Sequence, residues 1–466
     1  MNVRATVVMV TLAIIGVIAA VMFERLDAGD AGAGGAATIA LVPETLTAER
    51  VDAITLDRAD ATALRFERDG ATWRQTTPFA YPMDAFSIEQ LARLATKTRG
   101  HAIDADGLTL ESVGLTPPRA VLTLETGGQS VRLEFGRRGF GGRAYARSGE
   151  RLVTIDHELH DRVVRMDTRE WRDRRLFHGA GADATRIEVV SGEQELVLSR
   201  DRKTWQMERP VRTRVNPLAL DELIDAIGRA PAAGFILDEP DDLSRFGMTQ
   251  PAGTITVLTR DATADAGGSV RRIERTQRLI IGARVGVGSQ DRFARVEGRP
   301  VVLRLSEAVV AALFRPAEML VAPTASGVVP ADVKFIRIRT AGGELQLRRD
   351  LERWYAEEPA VEVRPERAAA LLAALTTHPA VAIELQPYPR ELEVATVTLV
   401  GFDARPLDTI RIARTTPEAG SYWLLENGDD ALRVHPETFD LPLELEQFAP
   451  GAAVPQDGPA AADATE

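Results

Sequence analysis

No cysteine occurs anywhere in the 466 residues. Its absence excludes disulfides, thiolate zinc sites, iron–sulfur ligation and a cysteine nucleophile. It fixes no compartment, because domains large enough to bury their own cores need no cross-links. Lysine is nearly absent too: beyond Lys97, Lys203 and Lys334 all side-chain positive charge of this kind is arginine. Positive charge is in deficit overall, with a net charge of −12, so bulk attraction to nucleic acid is not expected. Also missing are a Gly-x-Ser-x-Gly nucleophile elbow, a Walker phosphate loop and a paired-carboxylate signature. No catalytic residue and no cofactor are assigned from the sequence.

The rest of the composition, 45% hydrophobic and 27% charged, is that of a globular protein. At about 100–200 residues per domain, a chain of this length predicts roughly three domains. Ala5–Phe23 is uncharged and apolar over about 19 residues, long enough to cross a bilayer as a helix. Arg4 precedes it, and Glu24, Asp27 and Asp30 follow it. That charge order predicts the N-terminus inside and the body outside the inner membrane, in the periplasm. A cleaved signal peptide is the competing reading, with Ala19 and Ala20 as small residues for cleavage. Small residues across Asp27–Thr38 suggest a flexible tether, and Pro450–Glu466 a disordered tail.

A repeat dominates the remainder. "RDGATWRQTTP" at Arg68–Pro78 recurs as "RDRKTWQMERP" at Arg200–Pro210 and "RDLERWYAEEP" at Arg349–Pro359. Aligned on Trp73, Trp205 and Trp354, the copies share Asp69, Asp201 and Asp350 before the tryptophan and Pro78, Pro210 and Pro359 after it. Alternating apolar pairs precede each turn: Leu64 and Phe66, Leu196 and Leu198, Leu345 and Leu347. This predicts a hairpin, with Asp opening the turn, the tryptophan returning as a core anchor and proline ending the strand. A helix is predicted after each, capped by Asp84 or Ser87, by Asn216, and opened by Pro365. Two copies continue alike: Gly114 and Pro118 correspond to Gly247 and Pro251, followed by strand, glycine-rich loop and strand.

The expected fold class is α+β: an N-terminal transmembrane helix, then three tandem repeats, each an antiparallel hairpin, a helix and further strands. The expected boundaries are an anchor at 1–26, a tether at 27–46, repeats at 47–178, 179–322 and 323–449, the third divergent, and a tail at 450–466.

The tryptophan hairpins, the segment Gly114–Pro118, the Tyr-Ala-Arg strand Tyr145–Arg147 and "EWRDRRLF" at Glu170–Phe177 resemble the domain-of-unknown-function 4340 family. The resemblance implies a membrane-tethered extracytoplasmic protein associated with ABC-type transport components of the gliding-motility kind. It implies no catalytic residues.

Three stretches invite chemistry. His157 and His160 in "DHELHD" offer a metal pair, but a charged helix start accounts for the same residues. "GRRGFGGRAYAR" at Gly136–Arg147 is glycine-rich and basic, yet strands flank it on both sides, so a hairpin loop is expected rather than a phosphate cradle. Arg162, Arg165, Arg169, Arg172, Arg174 and Arg175 form a basic zone interspersed with Asp161, Asp167, Glu170 and Asp173, which favours internal ion pairing. The expected function is therefore a non-enzymatic binding or scaffold protein, tethered to the bilayer and accessory to membrane transport proteins. The alternative is a cell-envelope glycan binder using Tyr145 and Arg147.

Overall fold

The computed structural model describes residues 38–103, 107–264, 270–351, 353–358, 360–415 and 420–449. The expected anchor at 1–26, the tether up to residue 37, Pro359 and the tail at 450–466 lie outside the described residues. Among the described residues no helix is long and apolar enough to cross a membrane. The single-pass inner-membrane placement expected from the apolar run is not carried forward: no described helix supplies a span, and the run itself lies outside the described residues.

The α+β expectation is corrected. The described chain is mainly β, in three antiparallel sheets of ten, nine and nine strands. Seven short α-helices accompany them: α1 Ala85–Lys97, α2 His157–Val164, α3 Pro217–Arg229, α4 Glu307–Leu313, α5 Ala317–Leu320, α6 Pro365–Thr376 and α7 Leu445–Phe448. They do not follow the expected pattern of one helix per repeat, since the sheets carry two, three and two. The cause is local. Most connections are turns of a few residues, and such turns can only join antiparallel neighbours, so little chain is left for helices.

In the second sheet the order is Thr213–Arg214, Thr204–Arg209, Gln194–Asp201, Ala184–Ser191, Gly253–Ala264, Val270–Arg284, Arg292–Val296, Val301–Leu305 and Gly234–Asp238. Four strands before α3 run as a meander. Four later strands form a second meander, and the strand directly after the helix closes the far edge. The first and third sheets have this same order. The first adds Thr38–Ala40 beyond Arg99–Ala102. Part of the expected tether is thus folded: Ile39 pairs with Gly100, and Leu41, Val42 and Leu46 are buried.

The chain divides into two compact units at Asp173 and Arg174. The first holds the first sheet, and the second holds the other two. In the first unit, α1 begins where the Asp84 carboxylate accepts the Ser87 N–H at 2.9 Å, which satisfies an otherwise orphaned donor. Ile88, Leu91, Ala92 and Ala95 then fall on one stripe and are all buried. They pack with Ile54, Phe66, Trp73, Leu122, Phe135 and Val153 of the sheet. Each large apolar side chain so buried stabilises the fold by about 1.5–3 kcal/mol. The third sheet repeats the arrangement with Leu371 and Leu375 of α6 against Ile336, Leu347, Trp354, Val397 and Ile410.

Candidate functional site

The stretches singled out by sequence are mostly structural. Trp73 and Trp354 stand in the core, paired across their hairpins with Arg68 and Arg349. The Arg68 guanidinium lies over the Trp73 ring at 4.7 Å. Trp205 differs: it pairs with Arg200 but is only half-buried, and Met207 fills the core in that hairpin. Asp69, Asp201 and Asp350 end the first strand of each hairpin, at the surface. Pro78 and Pro210 follow the return strands, each after a cis peptide bond.

His157 and His160 do not form a pair of ligands. His157 is exposed at the start of α2, whereas His160 is buried and its Nε2–H donates to the Gly136 carbonyl at 2.9 Å. Among the described residues no three histidine or acidic side chains converge as a metal set. The glycine-rich stretch turns between strands Gln129–Arg138 and Arg143–Ser148. Arg147 donates from Nε to Glu134 at 2.6 Å, so it is not a free cation beside Tyr145. Part of the basic zone is also engaged. Arg172 is buried over the rings of Phe79 and Tyr81, and Arg174 donates to the Ala233 carbonyl at 3.1 Å.

The most organised polar group was not visible in the sequence. It lies in the second unit, where the second sheet meets the third. Arg433, on strand Leu432–Pro436, is 0% exposed. Its two terminal nitrogens grip the Asp429 carboxylate at 2.7 and 2.8 Å, a bidentate geometry only arginine provides. The same guanidinium donates to the carbonyls of Ala431 at 2.7 Å and Ala322 at 3.3 Å, and to Thr213 Oγ1 at 3.2 Å. The Thr213 hydroxyl donates in turn to Asp429 Oδ2, and the Ala431 N–H reaches Oδ1 at 3.3 Å. Both oxygens of Asp429 are thereby occupied. One network fixes an edge strand of the second sheet, Thr213–Arg214, to a loop of the third.

Main-chain bonds reinforce this seam. The Ala322 N–H donates to the Arg214 carbonyl at 2.9 Å, and the Asn216 N–H to that of Leu320 at 2.8 Å. Arg214 Nη2 donates to the Thr324 carbonyl at 2.7 Å, and Ser326 donates to Asp408 at 2.6 Å. Deeper in the third sheet, buried Glu426 is held by Arg411 at 2.6 Å. Burial, and then the nearby Arg433 charge, lower the pKa of Arg214, while Asp408 and Asp429 oppose that shift. A cavity of about 270 Å³ opens against the seam, lined by Gln206, Arg212, Thr213, Arg214, Asn427, Gly428 and Asp429. Elsewhere in this unit a cleft of about 350 Å³ is walled by Val189, Leu196, Pro210 and Phe314 and rimmed by Glu193 and Glu318.

Three sheets with one strand order, two of them joined by a buried ion network, define a protein built of tandem antiparallel β-modules. The chain belongs to the family described as Domain of unknown function (DUF4340), whose model matches residues 73–206 and 205–392. Both matches begin at a hairpin tryptophan, Trp73 and Trp205. No curated protein matches the chain.

Proposed function

We propose that this protein is a non-enzymatic binding and scaffold protein whose repeated modules dock components of a larger assembly. The observation that carries the reading is the identical strand order of the three sheets, two of them fastened by the Arg433–Asp429–Thr213 network. Repeated modules offer related surfaces side by side, and joining them raises effective concentration without new contacts. A seam that fixes two modules limits the ordering entropy lost on binding a partner that spans both. The resemblance to the transport-associated family makes ABC-type transport components the proposed partners. Among the ionisable side chains singled out by sequence, His160 and Arg174 are bound to main-chain carbonyls and Arg147 to Glu134, which suits a supporting role.

The test is crosslinking of the tagged full chain in its native cells, followed by purification and mass spectrometry of what remains attached. Transport subunits recovered with the wild-type chain support the reading, as does their loss when the seam is opened by Arg433→Leu. Retention of envelope polysaccharide without any protein partner would instead establish the glycan-binding alternative.

A further inference from the structure

The cavity beside the seam is lined by guanidinium groups whose nitrogens are not all occupied. Three arginines converge there, Arg212 and Arg214 in the lining and Arg433 directly behind it. Three carboxylates answer them, and all are already engaged. Glu208, whose charge acts on Arg212, is held by Arg186 and Ser199. Asp429 is saturated, its oxygens receiving two nitrogens of Arg433, the Thr213 hydroxyl and the Ala431 N–H. Asp408 is engaged by Ser326 and by the Thr409 N–H. Arg212 makes no hydrogen bond or ion pair among the described residues. Arg214 uses Nη2 on the Thr324 carbonyl, but its Nε is buried with no partner. A buried guanidinium nitrogen left unpaired costs the fold more than a neutral donor would, unless something accepts from it.

We propose that this cavity is a binding site for a small oxyanion, a phosphate or a carboxylate, held between Arg212 and Arg214. The size agrees: about 270 Å³ admits a phosphate or a terminal carboxylate with its first waters but is small for a nucleotide. The polar lining agrees also, because Gln206 and Asn427 each bring an amide that can donate to the same oxygens. Fixed guanidinium forks recognise planar and tetrahedral oxyanions through paired N–H donors, which lysine does not match. Thr213 and Arg214 are adjacent on one edge strand, so an anion placed here also touches the element that joins the two sheets. Occupancy would therefore stabilise the seam as well as fill the cavity. This inference goes beyond the scaffold reading and fails independently of it, since crosslinked partners and anion affinity are separate measurements.

The experiment uses the full chain at constant pH and ionic strength, with sodium chloride replaced stepwise by sodium phosphate in one arm and sodium acetate in the other. Thermal unfolding and isothermal titration are followed for wild type, Arg212→Gln and Arg214→Gln. The expected result is a saturable rise in Tm with phosphate, acetate or both, and binding weakened about tenfold or more by either substitution, as for loss of one charge-assisted hydrogen bond. Arg212 is exposed and outside the seam, so Arg212→Gln should leave the anion-free Tm unchanged and separates lost binding from lost folding. A response to acetate alone identifies a carboxylate ligand, and a response to phosphate alone a phosphate. No saturable response in either arm, or an equal response in wild type and Arg212→Gln, would overturn the proposal.

Discussion

Leu351 occupies the first loop position of the third hairpin with φ of 56°, and its side chain is 88% exposed. Gly70 holds the equivalent position in the first copy at φ 59°, with open space where a Cβ would stand. A left-handed backbone costs a non-glycine residue about 1–2 kcal/mol, partly offset by the greater chain entropy glycine loses on folding. Leu351→Gly should therefore stabilise the third module by roughly 0.5–1 kcal/mol, and Gly70→Leu should destabilise the first by a similar amount. Urea unfolding of both variants checks this, and a destabilised Leu351→Gly would refute it. His435 offers a pH prediction. It is buried, stacked on Phe439 at 4.0 Å, with its Nε2 unpartnered. Burial, and secondarily His378, pull its pKa down to about 4. Its ordinary value is about 6.5, so the unfolded chain takes up the proton first as pH falls. The stability it contributes is complete above about pH 6.5 and is lost as pH falls towards 4, on the order of 3 kcal/mol in all. His435→Phe keeps the stacked ring and should flatten the part of the stability–pH curve between pH 6.5 and 4; an unchanged slope in that window would exclude His435 as its source.

At the scale of elements, the three tryptophan hairpins are not equivalent in energy. Trp73 is 2% exposed and backed by Phe66 and Leu91 in one core, so Trp73→Ala should cost about 3–5 kcal/mol. Trp205 is half-buried, and Trp205→Ala should cost less than about 2 kcal/mol. Equal losses in denaturant unfolding would contradict this ranking. The hairpins themselves were legible because their signals are local: alternation, a turn residue and a tryptophan within about a dozen positions. The balance of helix and strand was not. Helix α1 announced itself by a capping aspartate and an apolar stripe, and α2 by its charged start, but α4, α5 and α7 are one or two turns set by packing. Trp171 was also missed. It sits between Glu170 and Arg172, with no alternation to mark it, yet it is fully buried against Phe66 with ring centroids 5.9 Å apart. The seam was invisible for a different reason: Thr213 and Arg433 are 220 positions apart, and neither belongs to a motif.

The whole molecule is two compact units, each with its own buried core, so a single two-state transition is not expected for the chain. The seam belongs wholly to residues 174–466, and its energetics should be confined there. Arg433→Leu removes the charge that answers Asp429 and leaves the carboxylate with only the Thr213 hydroxyl and the Ala431 N–H. Breaking one side of a buried pair costs about 3–5 kcal/mol, whereas removing both partners together is often close to neutral. The double variant Arg433→Leu, Asp429→Leu should therefore recover much of the loss, with a coupling energy of about 0.5–3 kcal/mol in a double-mutant cycle. Hydrogen exchange localises the effect. In Arg433→Leu, amides of Thr213–Arg214 and Leu432–Pro436 should exchange faster, while those of Ala53–Arg58 and Ala120–Thr126 in the first unit keep their protection. If the first unit loosened equally, the division of stability between the units would be wrong. If the single and double variants were equally unstable, Arg433 would contribute by filling space rather than by balancing Asp429.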